Sequence, residues 1–215
     1  DADAVGAAAA LIQDADVGVG FPLWMPHGTV LRDELEKWAK EEEFLAGFQR
    51  VTTPSVARGA LYLRSGHLPY YKDSMFPPML VDENDEYYLR PMNCPHHHKV
   101  YAARPRSYRE LPLRLAEYGN DFRYEKHGSL SGLLRVRAMT MNDAHIYCTP
   151  EQVEGEFHSV IQMYQKYYAH LRLGNFRVRL SLHDPDSDKF VADHNAWEQS
   201  ETAVRQVLHN LGVAY

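Results

Sequence analysis

Between Gly119 and Cys148 apolar and polar residues alternate on both sides of a loop holding Gly128, Ser129, Ser131 and Gly132. A period of two puts successive side chains on opposite faces of a strand, so the stretch reads as strand, loop and returning strand. Built around that pair, the chain is expected to form an α+β domain on a mainly antiparallel sheet, flanked by helices at 29–45, 150–171 and 196–211.

On the first strand Arg123 and Glu125 share one face, while Phe122 and Tyr124 share the other. Arg135 and Arg137 return on the second strand. A face carrying Arg123 with these two suits an anionic ligand such as a triphosphate. Cross-strand ion pairs on a solvated face account for the same charges.

Asp143 and His145 also fall on one strand face. Upstream, Arg90, Pro91, Met92, Asn93, Cys94, Pro95, His96, His97 and His98 set a thiol among imidazoles. Cysteine with histidine is what zinc prefers, and a catalytic zinc takes three protein ligands plus one open position. From spacing alone, Cys94 pairs equally well with His145 or with His97. Cys148 lies on the opposite face from His145 and reads as a small buried apolar residue.

The remaining segments frame this centre. Residues 1–19 form a lead-in with at most a weak helix, and 20–28 are turns punctuated by Pro22, Pro26 and Gly28. Thr29 is expected to cap a helix to Leu45 with Leu31, Leu35, Trp38 and Phe44 on its apolar face and Glu41 to Glu43 solvated. Residues 48–53 make a strand that Pro54 stops. A short helix over 56–63, a hairpin from 79–81 and 87–89, and a helix over 96–103 follow. Thr149, Pro150 and Gln152 form a helix start. A half-buried strand spans 176–182. His183, Asp184 and Asp186 in the loop 183–193 imitate a metal cluster on what reads as a flexible surface loop, and 213–215 opens another strand.

Composition excludes several classes. The 215 residues are 45% hydrophobic and 24% charged, enough for one substantial core, and the net charge of -6 gives no basic field for non-specific nucleic-acid binding. Two cysteines argue against a disulfide scaffold and fit a reducing, cytosolic compartment. No apolar run reaches the roughly 20 residues that span a bilayer. The chain begins without methionine, as a fragment or processed product would.

The runs Phe122 to Glu125, Arg135 to Arg137, Asn142 to Cys148 and Arg90 to His97, taken together, resemble the catalytic domain of the threonyl-tRNA synthetases, a class II aminoacyl-tRNA synthetase family. The likeness runs from about Gly20 to Tyr215. It implies that residues 20–215 are part of a class II catalytic domain ending before motif 3, and that 29–54 correspond to motif 1 and build a homodimer. It implies threonine, ATP with Mg2+ and a threonine-specific tRNA as partners of a cytoplasmic ligase. By the same resemblance Arg123 holds the α-phosphate and assists catalysis, and Glu125, Arg135 and Met139 serve ATP. Asp143 and Met92 serve threonine, and His67 lies near the reacting carbonyl. Zinc takes Cys94 and His145, with a third ligand beyond residue 215. Ala138 departs from the family's glycine and brings a methyl group toward the nucleotide. A prolyl- or seryl-type core, or a synthetase-like paralogue or zinc-binding fragment without catalysis, are the alternatives.

Overall fold

The structure is a computed structural model that describes residues 10–83, 85–174, 176–187 and 190–215. These fall into two compact units, one holding the residues up to Pro105 with Arg114–His145, the other Arg106–Leu113 with Ile146–Tyr215.

The first unit opens with β1 (Leu11–Ile12), antiparallel to β2 (Leu23–Trp24), so the described part of the lead-in is a strand and turns where a weak helix was expected. Helix α1 covers Pro26–Leu45. It begins three residues before Thr29 because Pro26 fits the first helical turn, where its missing N–H costs nothing and its φ is already set. Thr29 is therefore inside the helix, its N–H bonded to the Met25 carbonyl at 2.8 Å. Gly28 lies against the Ala10 backbone, where any side chain would collide. The expected apolar face is exposed at Leu31, Leu35 and Phe44, whereas Glu43, expected to be solvated, is buried and accepts the Tyr118 hydroxyl at 3.0 Å.

Strand β3 (Gln49–Arg50) runs parallel to β7 (Leu113–Phe122), which also neighbours β8 (Ala138–Tyr147). A second sheet orders β4 (Val56–Arg58), β6 (Asp85–Leu89) and β5 (Met79–Asp82), antiparallel throughout. The hairpin stands as expected. The helix expected from Val56 begins only at Gly59 and runs to Arg64 as α2, because Val56 to Arg58 are taken into the ladder with β6. Here tertiary pairing overrides local preference. Helix α3 (His67–Tyr70) and α4 (Cys94–Tyr101) complete the unit. Tyr62, Leu68, Met75 and Tyr88 form an apolar cluster between these elements.

Strand β7 ends at Phe122 and β8 begins at Ala138, so Arg123, Glu125, Arg135 and Arg137 sit in the connection, not on the ladders. One backbone and one side-chain bond still hold the connection across its neck: Arg123 N–H reaches the Arg137 carbonyl at 2.9 Å and Arg137 Nε the Glu125 carbonyl at 3.0 Å.

In the second unit the Thr149 turn has the capping geometry its sequence promises, with Thr149 N–H on Gln152 Oε1 at 2.9 Å. Helix α5 follows at Val153–His170 and packs with α6 (His194–Asn210), which Asp193 caps at the Ala196 N–H. The strands expected at 176–182 and 213–215 are not formed among the described residues, because alternation marks a face but supplies no partner for the ladder. His183 is anchored: its N–H and Nδ1 lie 3.0 and 2.8 Å from Glu201 Oε1, and its ring stacks on Trp197 at 5.1 Å. The loop's acids make no metal group with it among the described residues.

Candidate active site and metal centre

Strand β8 presents Asp143 and His145 from one face, and the start of α4 presents Cys94. One ligand atom from each lies within 4.8 Å of the others, with all three residues half-buried. A thiolate, an imidazole and a carboxylate are a donor set that fits zinc. Burial, with the Asp143 charge beside it, pushes the Cys94 thiol up, so without metal the sulfur carries a proton that binding must release. Burial pushes the His145 imidazole down, which favours the neutral ring a metal requires.

Behind this group stands a buried network. Arg90, 1% exposed, donates from Nε to Asp121 Oδ1 at 2.9 Å. Its Nη1 reaches Thr53 Oγ1 at 2.6 Å and Glu117 Oε1 at 3.2 Å. Glu117 Oε2 lies 3.0 Å from His97 Nε2, and His97 Nδ1 lies 2.9 Å from His145 Nδ1. Both His97 nitrogens are thus engaged inside the protein. On β7, Leu113, Leu115, Glu117, Gly119 and Asp121 all face inward and are buried. At Gly119 a Cβ would strike Arg90 Nη2 and lie 2.6 Å from Asn93 Oδ1, so only glycine admits the guanidinium here.

Sequence reasoning missed Glu117, Asp121 and Thr53. The signal was present, since Glu117 and Asp121, four apart and in the same period-two register as Leu115 and Gly119, put two acids on an inward face and so require a buried cation. Asp121 keeps Oδ2 without a partner, and burial pushes its carboxyl up to about 6 against the pull of Arg90. His96 is buried with both ring nitrogens unpartnered, and burial, with the Arg90 charge, pushes it down to about 4.

The residues expected at the nucleotide lie around the neck of the connection. Arg123 is half-buried and donates from Nε to the Pro91 carbonyl at 3.3 Å. Arg135 pairs with Glu125 at 3.0 Å from an exposed position, so the ion-pair reading of that face is realised in this pair. Met139 on β8 and Met92 before α4 are half-buried. His67 is buried beside Tyr62 and Tyr71, with Nδ1 2.9 Å from Ser65 Oγ and Nε2 lacking any partner.

Residues 74–211 match the family model described as tRNA synthetase class II core domain (G, H, P, S and T). The threonine--tRNA ligase of Thermus thermophilus is 49% identical over 205 residues, 94% of this chain and 31% of that protein. That of Deinococcus radiodurans is 47% identical over 202 residues, with the same 94% and 31% coverage. The chain therefore spans about a third of the length of these curated relatives. Among solved structures, the RNA binding domain of threonyl-tRNA synthetase from Cryptosporidium parvum Iowa II gives a TM-score of 0.86 at 34% identity, covering 97% of this chain and 51% of that one. Giardia lamblia prolyl-tRNA synthetase in complex with prolyl-adenylate shares the fold, with a TM-score of 0.69 at 21% identity over 78% of this chain and 35% of that one. Among the described residues no helix is long and apolar enough to cross a membrane.

Proposed function

From the premise that this chain belongs to the class II tRNA synthetase core-domain family, we propose that it forms part of the catalytic domain of a threonine-tRNA ligase. The reaction activates threonine with ATP and Mg2+ and passes it to the 3′ end of a threonine-specific tRNA in the cytoplasm. The observation that carries this reading is the gathering of Cys94, Asp143 and His145 within 4.8 Å. A prolyl- or seryl-type core has no use for that donor set.

Cys94 and His145 would hold zinc, with the third ligand expected beyond residue 215. When bound, zinc supplies a Lewis-acidic open position that selects an amino acid bearing both an amino and a hydroxyl group. Asp143 accepts the substrate hydroxyl, which rejects valine far better than an apolar pocket does. Met92 packs beside the threonine side chain. Arg123 holds the α-phosphate and stabilises the charge that grows as the carboxylate attacks. Arg135 leaves Glu125 for the phosphates when nucleotide enters, freeing the carboxylate for the adenine or the acceptor end. Met139 packs on the adenine with its thioether. His67, whose Nε2 is unpartnered, serves the transfer step near the reacting carbonyl.

Two measurements on the protein test this. In the full-length protein that contains this chain, ATP-pyrophosphate exchange is expected with threonine and, more weakly, with serine, which also bears the hydroxyl, and not with proline. Zinc content is expected to fall in both Cys94→Ala and His145→Ala proteins. Zinc without exchange makes the chain a metal-binding paralogue. Exchange with proline makes it another class II core.

A further inference from the structure

The metal group is backed by a hydrogen-bonded line that crosses four segments of the chain, from Thr53 after β3 through Glu117 on β7 and His97 on α4 to His145 on β8. Each link can be given a direction. Glu117 is 2% exposed and surrounded by donors: the Thr53 N–H at 2.8 Å and Arg90 Nη1 at 3.2 Å on Oε1, and the Thr53 hydroxyl at 2.8 Å on Oε2. Burial pushes this carboxyl up, but the bonds from Thr53 and His97 and the Arg90 charge outweigh it, leaving Glu117 below the usual carboxylate range. An ionised carboxylate only accepts, so the proton between Glu117 and His97 sits on His97 Nε2. A singly protonated ring then has only a lone pair at Nδ1. The His145 nitrogen facing it at 2.9 Å must therefore donate.

We propose that Glu117 and His97 are positioning residues that fix the tautomer and ring orientation of His145, keeping the proton on Nδ1 and leaving Nε2 as the lone pair the ring offers a metal. The proposal rests on the reading of His145 as a ligand. It adds that the ring is set before metal arrives by a line anchored on Arg90 and Thr53. The edge-on packing of the two rings, with centroids 4.7 Å apart at 72°, agrees with one ring nitrogen pointing at the other. Partners of this kind fix ligand tautomers at metal centres generally.

The decisive substitution is Glu117→Gln, which keeps shape and reverses the bonds at Oε2, where the Thr53 hydroxyl turns to accept and His97 is left facing a donor. At Oε1 both neighbours, Thr53 N–H and Arg90, are donors, so the amide oxygen must stay there and the amide NH2 must face His97. His97 Nε2 then accepts, its Nδ1 donates, and His145 is driven to the Nε2–H form that blocks ligation. Long-range proton-nitrogen NMR on histidine-labelled, metal-free protein reads the tautomer directly. The wild type is expected to show His145 protonated at Nδ1, and Glu117→Gln to show it protonated at Nε2. Titration with Zn2+ alone is expected to show about 10- to 100-fold weaker binding in Glu117→Gln, the scale typical of lost outer partners. A wild-type His145 protonated at Nε2, or an unchanged tautomer in folded Glu117→Gln, overturns the proposal. Should Glu117→Gln fail to fold, the wild-type spectrum still decides it. Loss of the zinc reading is seen separately, as unchanged Zn2+ affinity in Cys94→Ala with the His145 tautomer as expected.

Discussion

The Asp143 carboxylate stands within 4.8 Å of ligand atoms of both Cys94 and His145, where the proposed function has it accept the substrate hydroxyl. If it reads the substrate hydroxyl, Asp143→Ala in the zinc-loaded full-length protein should lower kcat/KM for threonine on the order of 10²-fold, the scale of a lost buried polar partner. Valine has no hydroxyl to lose, so its poor rate should change far less and the ratio of the two should collapse. An intact ratio makes Asp143 structural. Asp121 carries a second, thermodynamic prediction. Its folded pKa, raised from 3.8 to about 6, means that the folded state holds the proton more tightly than the unfolded chain. Its contribution to stability is therefore fully present below about pH 4 and lost as pH rises through about 6. At about 1.4 kcal/mol per unit, the stability of wild type relative to Asp121→Asn should fall by about 3 kcal/mol across that window. Urea unfolding at pH 4 and pH 7 measures it. A rise instead would mean that Arg90 keeps Asp121 ionised. Strand period alone located Asp143 and His145 on one face, yet Arg90 was seen only as a neighbour of Cys94 and His97 only as its alternative metal partner. Their function depends on Glu117 and Asp121, which come close only once β7 passes behind α4.

Elements that carry their own start signals were legible, and those defined by a distant partner were not. The Thr149 and Pro150 start fixed α5 because its cap is satisfied within three residues of chain. The hairpin of β5 and β6 closed on its own turn. In contrast, Val56 to Arg58 look helical until β6 offers them a ladder, and residues 176–182 alternate like a strand although no described strand pairs with them. The arginines of the connection show the same limit. Alternation runs through Arg123 and Arg137, but β7 and β8 end before reaching them, and their bonds go to the carbonyls of Pro91 and Glu125. What the sequence carried there was the charge of the site, not the backbone that aims it.

At the scale of the molecule, α1 leaves something unaccounted for. Val30, Leu31, Leu35, Phe44 and Leu45 are all exposed, Phe44 and Leu45 by 78% and 77%, and Leu31, Leu35 and Phe44 belong to the apolar face expected of this helix. The opposite side of the helix is satisfied within the chain, by Gly28 against Ala10 and Glu43 against Tyr118. Exposed apolar side chains near both ends of a helix otherwise well seated suit an interface with a second chain. The net charge of -6 over 215 residues is small enough not to oppose self-association. We therefore expect a homodimer through the 29–54 region, visible as a doubled mass in sedimentation equilibrium. Leu35 is 52% exposed in the single chain, so Leu35→Asp should leave the circular dichroism spectrum unchanged. In a two-fold interface the substitution acts twice. Losing the burial of two leucine side chains, roughly 1.5–3 kcal/mol each, should weaken the dimer by roughly 10²- to 10⁴-fold in Kd and bring the monomer into the micromolar range of the experiment. A dimer of unchanged affinity would place the interface elsewhere and leave the exposed face of α1 without its partner.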